Sequence, residues 1–327
     1  MKIFVTGGAG FIGSHFVRTA LSGGDPELGA DVAVTVFDSL TYAGNLANLD
    51  PVKDQPGFEF VKGDITDLDQ VNATMAGHDA VVHFAAESHV DRSISGATQF
   101  VVTNVLGTQV LLEAALRHGV GPFVHVSTDE VYGSIAEGSW PETDPLQPNS
   151  PYAASKASSD LVALSYHRTH GLDVRVTRCS NNYGPYQYPE KVIPLFVTNL
   201  VEGEQVPLYG DGLNVRDWLH VDDHCQGIEK VLRGGRAGEV YNIGGGTELT
   251  NRELTDRLVG AFGKGEESIR YVEDRKGHDR RYSVDWSKIR DELGYQPRHD
   301  FESGLADTIA WFRANEDWWR PLKYPQS

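Results

Sequence analysis

Cysteine is nearly absent from this chain. Its 327 residues hold two, Cys179 and Cys225, and only two methionines. Two thiols make no disulfide framework, so both read as small buried hydrophobes in a reduced, cytoplasmic protein. No apolar run approaches the roughly 18 residues that a bilayer-spanning helix needs. The opening "KIFVTGG" already reads as strand and turn, which leaves no stretch for a signal peptide. Positive charge is scarce as well: 29 Lys and Arg face 46 Asp and Glu, a net charge of −17. That excludes nucleic acid and an anionic membrane as general partners, since both need a basic face. A phosphorylated small molecule stays open, because it needs only a local basic pocket. Internal repeats, low-complexity tracts and His/Cys/Asp spacings of the metal-binding kind are missing too, and no metal is expected.

What the chain does have is alternation. The apolar runs "KIFVT", "DVAVTVFD", "FEFVKGD", "DAVVHFA", "PFVHVS" and "DVRVTRC" are separated by amphipathic segments such as "TQFVVTNVLGTQVLLEAALRHG" and "SPYAASKASSDLVALSYHRTHG". Near-continuous apolar strands between helices predict a parallel sheet covered on both faces, with right-handed crossovers. The expected fold is therefore α/β, a Rossmann-type doubly wound sheet. The alternation weakens after about residue 180, where Pro- and Gly-rich loops begin. Residues 1–180 are read as a dinucleotide-binding domain to which later segments return. Residues 181–327 are read as a smaller, partly interleaved α/β substrate domain.

"VTGGAGFIG" places Gly7, Gly10 and Gly13 after a strand and before a helical pattern. This is the context in which glycine spacing signals a pyrophosphate on a helix N-terminus. Asp38 ends the second strand, where a carboxylate suits the adenosine ribose hydroxyls and repels a 2′-phosphate, so NAD is expected rather than NADP. The polar insertion "SGGDPELGA" is read as a loop that lengthens the spacing from Gly13. Asp64 is either an adenine contact or an acid at a helix N-terminus; spacing leaves both open. Tyr152 and Lys156 lie four apart on a predicted helix and so share a face. With 13 tyrosines in the chain, such pairs arise by chance about 0.4 times, but this one follows the fifth strand of a dinucleotide fold. An adjacent ammonium and the cationic nicotinamide both favour the phenolate of a Tyr, and such a pair can deprotonate an alcohol while hydride leaves its carbon.

The glycine spacing, the Tyr152/Lys156 pair and the length together resemble the extended short-chain dehydrogenase/reductase family, which acts on nucleotide sugars. The likeness runs over essentially the whole chain. The segments "STDEVYG", "AAESHVDRS", "NNYGPYQYPEKVIPLF", "YGDGLNVRDWLHVDDH" and "NEDWWRPLK" are most similar to its 4,6-dehydratase branch. That resemblance implies NAD as cofactor, dTDP-glucose as substrate and a homodimer, with UDP-glucose as the nearest alternative. A non-catalytic NAD-sensing protein on the same scaffold stays open on fold alone.

Against this background "HVSTDEVYG" gains a meaning. By itself Asp129-Glu130 reads as a polar strand end facing water. Dehydration, however, needs one group to take the C5 proton and another to protonate the leaving C6 hydroxyl. The resemblance gives Glu130 the first role, Asp129 the second, and Thr128 a hydrogen bond to the C4 oxygen. An acid at Asp129 must hold its proton near neutrality, which requires burial, a neighbouring charge, or both. Adjacent strand residues point to opposite faces, so both acids can face one sugar only if the strand has ended there.

The resemblance also implies that Phe11, Ile12, Ser39, Leu40, Thr41, Ile65, Ala85, Ala86, Ser88, Thr103 and Asn182 surround NAD. Asn181, Asn251 and Ser88 would contact the substrate. Lys191, Arg216, Arg275 and His278 read as a basic set for the diphosphate, Arg offering a planar fork for bidentate bonds. Trp318 and Trp319 read as packing of the C-terminal tail.

Overall fold

The computed structural model describes residues 1–23 and 32–324. All but Ser22 and Gly23 of the expected insertion loop lies outside the described residues. The six apolar runs become β1 (Lys2–Thr6), β2 (Ala33–Asp38), β3 (Phe58–Lys62), β4 (Ala80–His83), β5 (Phe123–Thr128) and β6 (Val174–Cys179). After them come β7 (Asn181–Tyr183), β8 (Val206–Tyr209), β9 (Val215–His220), β10 (Val240–Ile243), β11 (Thr247–Thr250) and β12 (Ile269–Val272).

Seven strands form one parallel sheet in the order β3-β2-β1-β4-β5-β6-β10. Alternate residues of each strand enter opposite cores. Val5, Val36, Val82 and Val124 pack with Phe16 and Ile228 on one face. Phe4, Phe37, Val81 and Phe123 pack with Leu111 and Leu112 on the other. Burial on both faces is why these strands read as unbroken apolar runs. The strand order reverses between β1 and β4, the crevice where doubly wound sheets bind ligands.

The seventh strand, β10, was not foreseen. Its run "VYNI" is short, yet it pairs with β6 from Val240↔Val176 to Ile243↔Cys179. The later segments otherwise build a small sheet, β11-β9-β7, and a pair, β12-β8. These share a core with the helices Val192–Val201, Asn251–Ala261 and Phe301–Ala314. Trp319 is fully buried there, its Nε1 donating to the Phe312 carbonyl at 2.8 Å, while Trp318 donates to Asn48 Oδ1 at 2.9 Å. Both rings are packing, as expected.

One expectation fails. Among the described residues the helix Thr98–His118 is long and apolar enough to cross a membrane by length and composition. Only half of its apolar window is buried, and it packs beside Leu68–Met75 and Pro151–His170. It escaped notice because Thr, Asn and Gln interrupt what is otherwise an apolar helix.

The core also holds imidazoles. Burial pushes His125 down to about 4, His224 to about 3, and His83 well below the ordinary value. An unfolded His titrates near about 6.5. Below that pH the unfolded chain therefore binds protons that the folded chain refuses, and stability falls with acid. The thermal midpoint is expected to be flat above about pH 7 and to drop steadily from about pH 6.5 towards 4, as denaturation scans in a pH series would record.

Candidate active site

A cavity of about 340 Å³ runs along the carboxyl ends of the parallel strands. Its nucleotide end is built from glycine. Gly7 leaves β1 with φ +70°, and a Cβ there would stand 2.5 Å from the Ala85 backbone nitrogen. A Cβ on Gly13 would stand 2.3 Å from the Gly7 carbonyl oxygen. The turn closes by the Gly10 N–H donating to Gly7 O at 3.1 Å, and Gly10 offers the helix Phe11–Leu21 no side-chain cap. The first N–H groups of that helix are thus available to an anion.

Asp38 is fixed by the backbone: Oδ2 accepts from Ala9 N at 2.9 Å and Oδ1 from Leu40 N at 2.8 Å. Phe11, Ile12, Ser39, Thr41, Ile65, Ala85, Ala86, Ser88, Thr103 and Asn182 all line the cavity. Leu40 does not. With φ 55° it offers its N–H to Asp38 while its side chain packs against the core. Asp64 lines the cavity and also accepts from Thr66 N and Oγ1 at 2.9 and 2.8 Å. Of the two readings left open for it, the helix N-terminal acid falls to Asp67 instead, which accepts from Asp69 N and Gln70 N.

At the other end the strand stops where the acid pair needs it to stop. β5 ends at Thr128, and Asp129–Tyr132 form a 3₁₀ turn with Thr128 as its cap, Oγ1 accepting from Glu130 N at 3.2 Å. Thr128, Asp129, Glu130, Tyr152 and Lys156 all line the cavity. The two carboxyls have different surroundings. Burial, then Glu130 and Asp217, hold Asp129 well above the usual carboxylate range. Burial raises Glu130 as well, but Arg275, Arg216 and Lys191 pull it back.

The Tyr–Lys pair is fully enclosed. Burial and the Glu130 charge push the Tyr152 phenol well above 10, with Thr128 pulling the other way. Lys156, brought down to about 8 by burial, donates to the Val126 carbonyl at 2.8 Å. The protein alone therefore keeps Tyr152 a neutral phenol, because desolvation and the nearby acids outweigh the Thr128 hydrogen bond.

A second cavity of about 50 Å³ adjoins the first, with Glu130 and Asn181 in both walls. It gathers Arg216, Arg275 and His278, with Ser150, Asp279 and Tyr282, which the sequence did not suggest. Arg216 is anchored by donating to Val215 O and Asp279 O at 2.7 and 2.9 Å, over the Tyr282 ring. Lys191 donates to Ser88 O at 3.1 Å. Asn181 Oδ1, Asp129 Oδ2 and Arg275 Nε are buried with no protein partner. Asn251 lies in neither wall; it opens the helix Asn251–Ala261, tied by its N–H to Asn214 O at 2.9 Å.

Sequence reasoning missed two further groups. Asn104 sits in the π-helical stretch Val101–Gly107, accepts from Glu87 N at 2.8 Å and donates to Ser155 Oγ at 2.8 Å. It ties the loop after β4 to the helix of Tyr152. At the cavity mouth the Arg92 guanidinium lies 3.7 Å from the Tyr42 ring centre and 3.2 Å from Glu190. Elsewhere Asp222, Asp223 and His299 bring ligand-type atoms within 4.8 Å of one another, a grouping that sequence spacing does not reveal. None of the three lines either cavity.

The glycine turn at the sheet's crossover and the Tyr–Lys pair on the helix after β5 define the dinucleotide-dependent short-chain dehydrogenase/reductase class. Residues 4–308 match the model for the family described as GDP-mannose 4,6 dehydratase, and the chain belongs to that family. A dTDP-glucose 4,6-dehydratase of Streptomyces antibioticus is 66% identical over 323 residues, 99% of this chain and 96% of that one. The dTDP-glucose 4,6-dehydratase of Streptomyces venezuelae, solved with NAD bound, superposes with a TM-score of 0.97 at 65% identity, covering 98% of this chain and 100% of that one. The Bacillus anthracis enzyme of the same name, also in complex with NAD, gives 0.91 at 50% identity, with 98% and 99% covered.

Proposed function

We infer that this chain converts dTDP-glucose into its 4-keto-6-deoxy sugar, removing water across C5 and C6 with NAD as resident cofactor. The observation that carries the reading is the pair of consecutive carboxyls at the junction of the two cavities. One is buried beside other acids, which raises it well above the usual carboxylate range, and the other is faced by three cations.

NAD fits the larger cavity on three counts. The glycine turn leaves no room for a Cβ, the helix N-terminus is uncapped, and Asp38 is fixed where a ribose would need an acceptor. Gly7, Gly10 and Gly13 would hold its pyrophosphate, Asp38 the adenosine ribose, and Tyr152, Lys156, Thr103 and Asn182 the nicotinamide end. When bound, NAD accepts the C4 hydrogen with its electron pair and returns it at C6.

The remaining chemistry is proton movement by this chain's side chains. With the positive charge of bound NAD and the Lys156 ammonium both favouring its phenolate, Tyr152 would take the C4 hydroxyl proton while Thr128 hydrogen-bonds that oxygen. The C4 carbonyl so formed makes the C5 proton acidic. Glu130, raised by burial but pulled back by Arg275, Arg216 and Lys191, removes it as the base. Asp129, still carrying its proton, gives it to the C6 oxygen, which leaves as water. Two environments that drive neighbouring carboxyls apart are the usual means of assigning acid and base. Two protons leave the sugar and two are delivered, one to the departing hydroxyl and one back to C5, with no net oxidation.

Arg216, Arg275, His278 and Lys191 would hold the diphosphate, and residues 181–327 would act as the nucleotide-sugar half beside the NAD half of 1–180. Exposed Val101, Leu106 and Leu161 on the helices Thr98–His118 and Pro151–His170 support a homodimer across these helices. Two free buried cysteines suit the cytoplasm. The test supplies purified protein with dTDP-glucose, UDP-glucose and GDP-mannose in turn. A keto-deoxy product is expected from dTDP-glucose, without accumulated reduced cofactor. Product from neither dTDP- nor UDP-glucose would favour the non-catalytic reading; product from UDP-glucose alone would move the base preference.

A further inference from the structure

Beneath the catalytic groups runs a buried polar chain that no step above uses. Asp160 stands one turn beyond Lys156 and two beyond Tyr152, so the three share one stripe of the helix Pro151–His170. Its Oδ2 accepts from Arg178 Nε, on β6, at 2.9 Å, and its Oδ1 lies 3.3 Å from His125 Nε2, on β5. Arg178 donates a second N–H, from Nη1, to the Tyr132 hydroxyl at 2.7 Å. That hydroxyl donates to Asn242 Oδ1, on β10, at 2.9 Å. Tyr132 ends the 3₁₀ turn that carries Asp129 and Glu130, and its ring stacks on Trp140 with centres 5.3 Å apart. All of these side chains are buried, and none of Tyr132, Asp160 and Arg178 lines either of the two cavities described above.

An ion pair this deep is a poor stabiliser, because desolvation offsets the Coulomb attraction and apolar side chains of similar volume do as well or better. What it supplies is direction. Arg178's rigid fork reaches two elements at once, the helix through Asp160 and the turn through Tyr132. We propose that Asp160, Arg178 and Tyr132 are positioning residues, a brace that sets the turn of Asp129 and Glu130 in register with the helix of Tyr152 and Lys156. The idea rests on the dehydratase reading, in which Tyr152 works at C4 while the acids work one and two carbons away. A misplacement of about 1 Å between such groups can cost about a hundredfold in rate.

The test compares the wild-type enzyme with Tyr132→Phe and with the double variant Asp160→Asn/Arg178→Met, which removes both charges together. Each is given dTDP-glucose in D2O, and three quantities are read: kcat and KM for the keto-deoxy product, deuterium uptake at C5, and C4 oxidation in a quenched single turnover. Tyr132→Phe is expected to lower kcat and C5 exchange about tenfold, with KM and C4 oxidation within about twofold, since only the turn has lost its tether. The double variant should lose more of both while its thermal midpoint stays within a few degrees of the wild type. Should it fail to fold, Tyr132→Phe, which removes a single oxygen, decides. The brace is overturned if Tyr132→Phe keeps the wild-type kcat and exchange, or if C4 oxidation falls in parallel, as general loosening would produce. A wild-type enzyme that forms no keto sugar would sink the dehydratase reading instead.

Discussion

Replacing Asp129 with Asn is expected to separate the two halves of the reaction. The Asn side chain keeps the shape of the carboxyl but has no acidic proton, so the C6 oxygen would have to leave as hydroxide. Losing a positioned general acid typically costs 10²- to 10⁴-fold, and water loss should slow by about that factor. In the proposed scheme oxidation at C4 rests on Tyr152, Lys156 and Thr128, which remain. Removing the Asp129 carboxyl also leaves Glu130 facing Arg275, Arg216 and Lys191, so deuterium exchange at C5 should persist. Quenched single turnovers analysed by mass spectrometry would then show a 4-keto sugar that still carries its C6 oxygen. Equal loss of oxidation and elimination would contradict the role given to Asp129.

The second large effect is expected at Gly7. An alanine there must hold φ near +70°, and its Cβ would meet three backbone atoms of Phe84 and Ala85 at 2.5 to 2.8 Å. The left-handed conformation alone costs about 1–2 kcal/mol, and backbone cannot rotate out of the way as a side chain can. The combined cost should be about 2–4 kcal/mol, a large fraction of a domain's stability. The protein purified in this form should carry less than about a tenth of the wild-type NAD, because a β1 turn pushed off Ala85 no longer presents the helix N-terminus to a pyrophosphate. Gly77→Ala is the control: it has φ +77° but nothing within 4 Å of the added methyl. It should show the conformational cost with full NAD content. Thermal scans and assay of nucleotide released by acid check both, and Gly7→Ala protein with normal NAD content would refute the account of the turn.

The first half of this fold was legible because a parallel sheet buried on both faces writes its strands as apolar runs, and because glycine is demanded wherever backbone meets backbone. β10 was not legible: a four-residue run carries too little pattern, and only its pairing with β6 makes it a strand. At the site, the turn at Thr128 followed from a geometric need, that two neighbouring acids face one sugar. What surrounds those acids did not follow. Asp217, whose charge helps raise Asp129, comes from β9, far along the chain. Leu40 and Asn251 were assigned by resemblance, and spacing does not tell which way a side chain turns. Asn104 had a signal that went unused, since an Asn inside an otherwise apolar helix is unfavourable and invites a reason. Asp160 gave none; in "KASSD" it looks like any residue on a wet helix face.

The most direct trial of the central claim follows the hydrogens of the sugar. dTDP-glucose labelled with deuterium at C4 is converted in ordinary water, unlabelled dTDP-glucose is converted in D2O, and the products are read by NMR. An active site with Tyr152 at C4 and the acid pair at C5 and C6 moves the C4 label to C6 and places one solvent deuterium at C5. A label that stays at C4, passes into solvent, or leaves the C6 oxygen in place would contradict it.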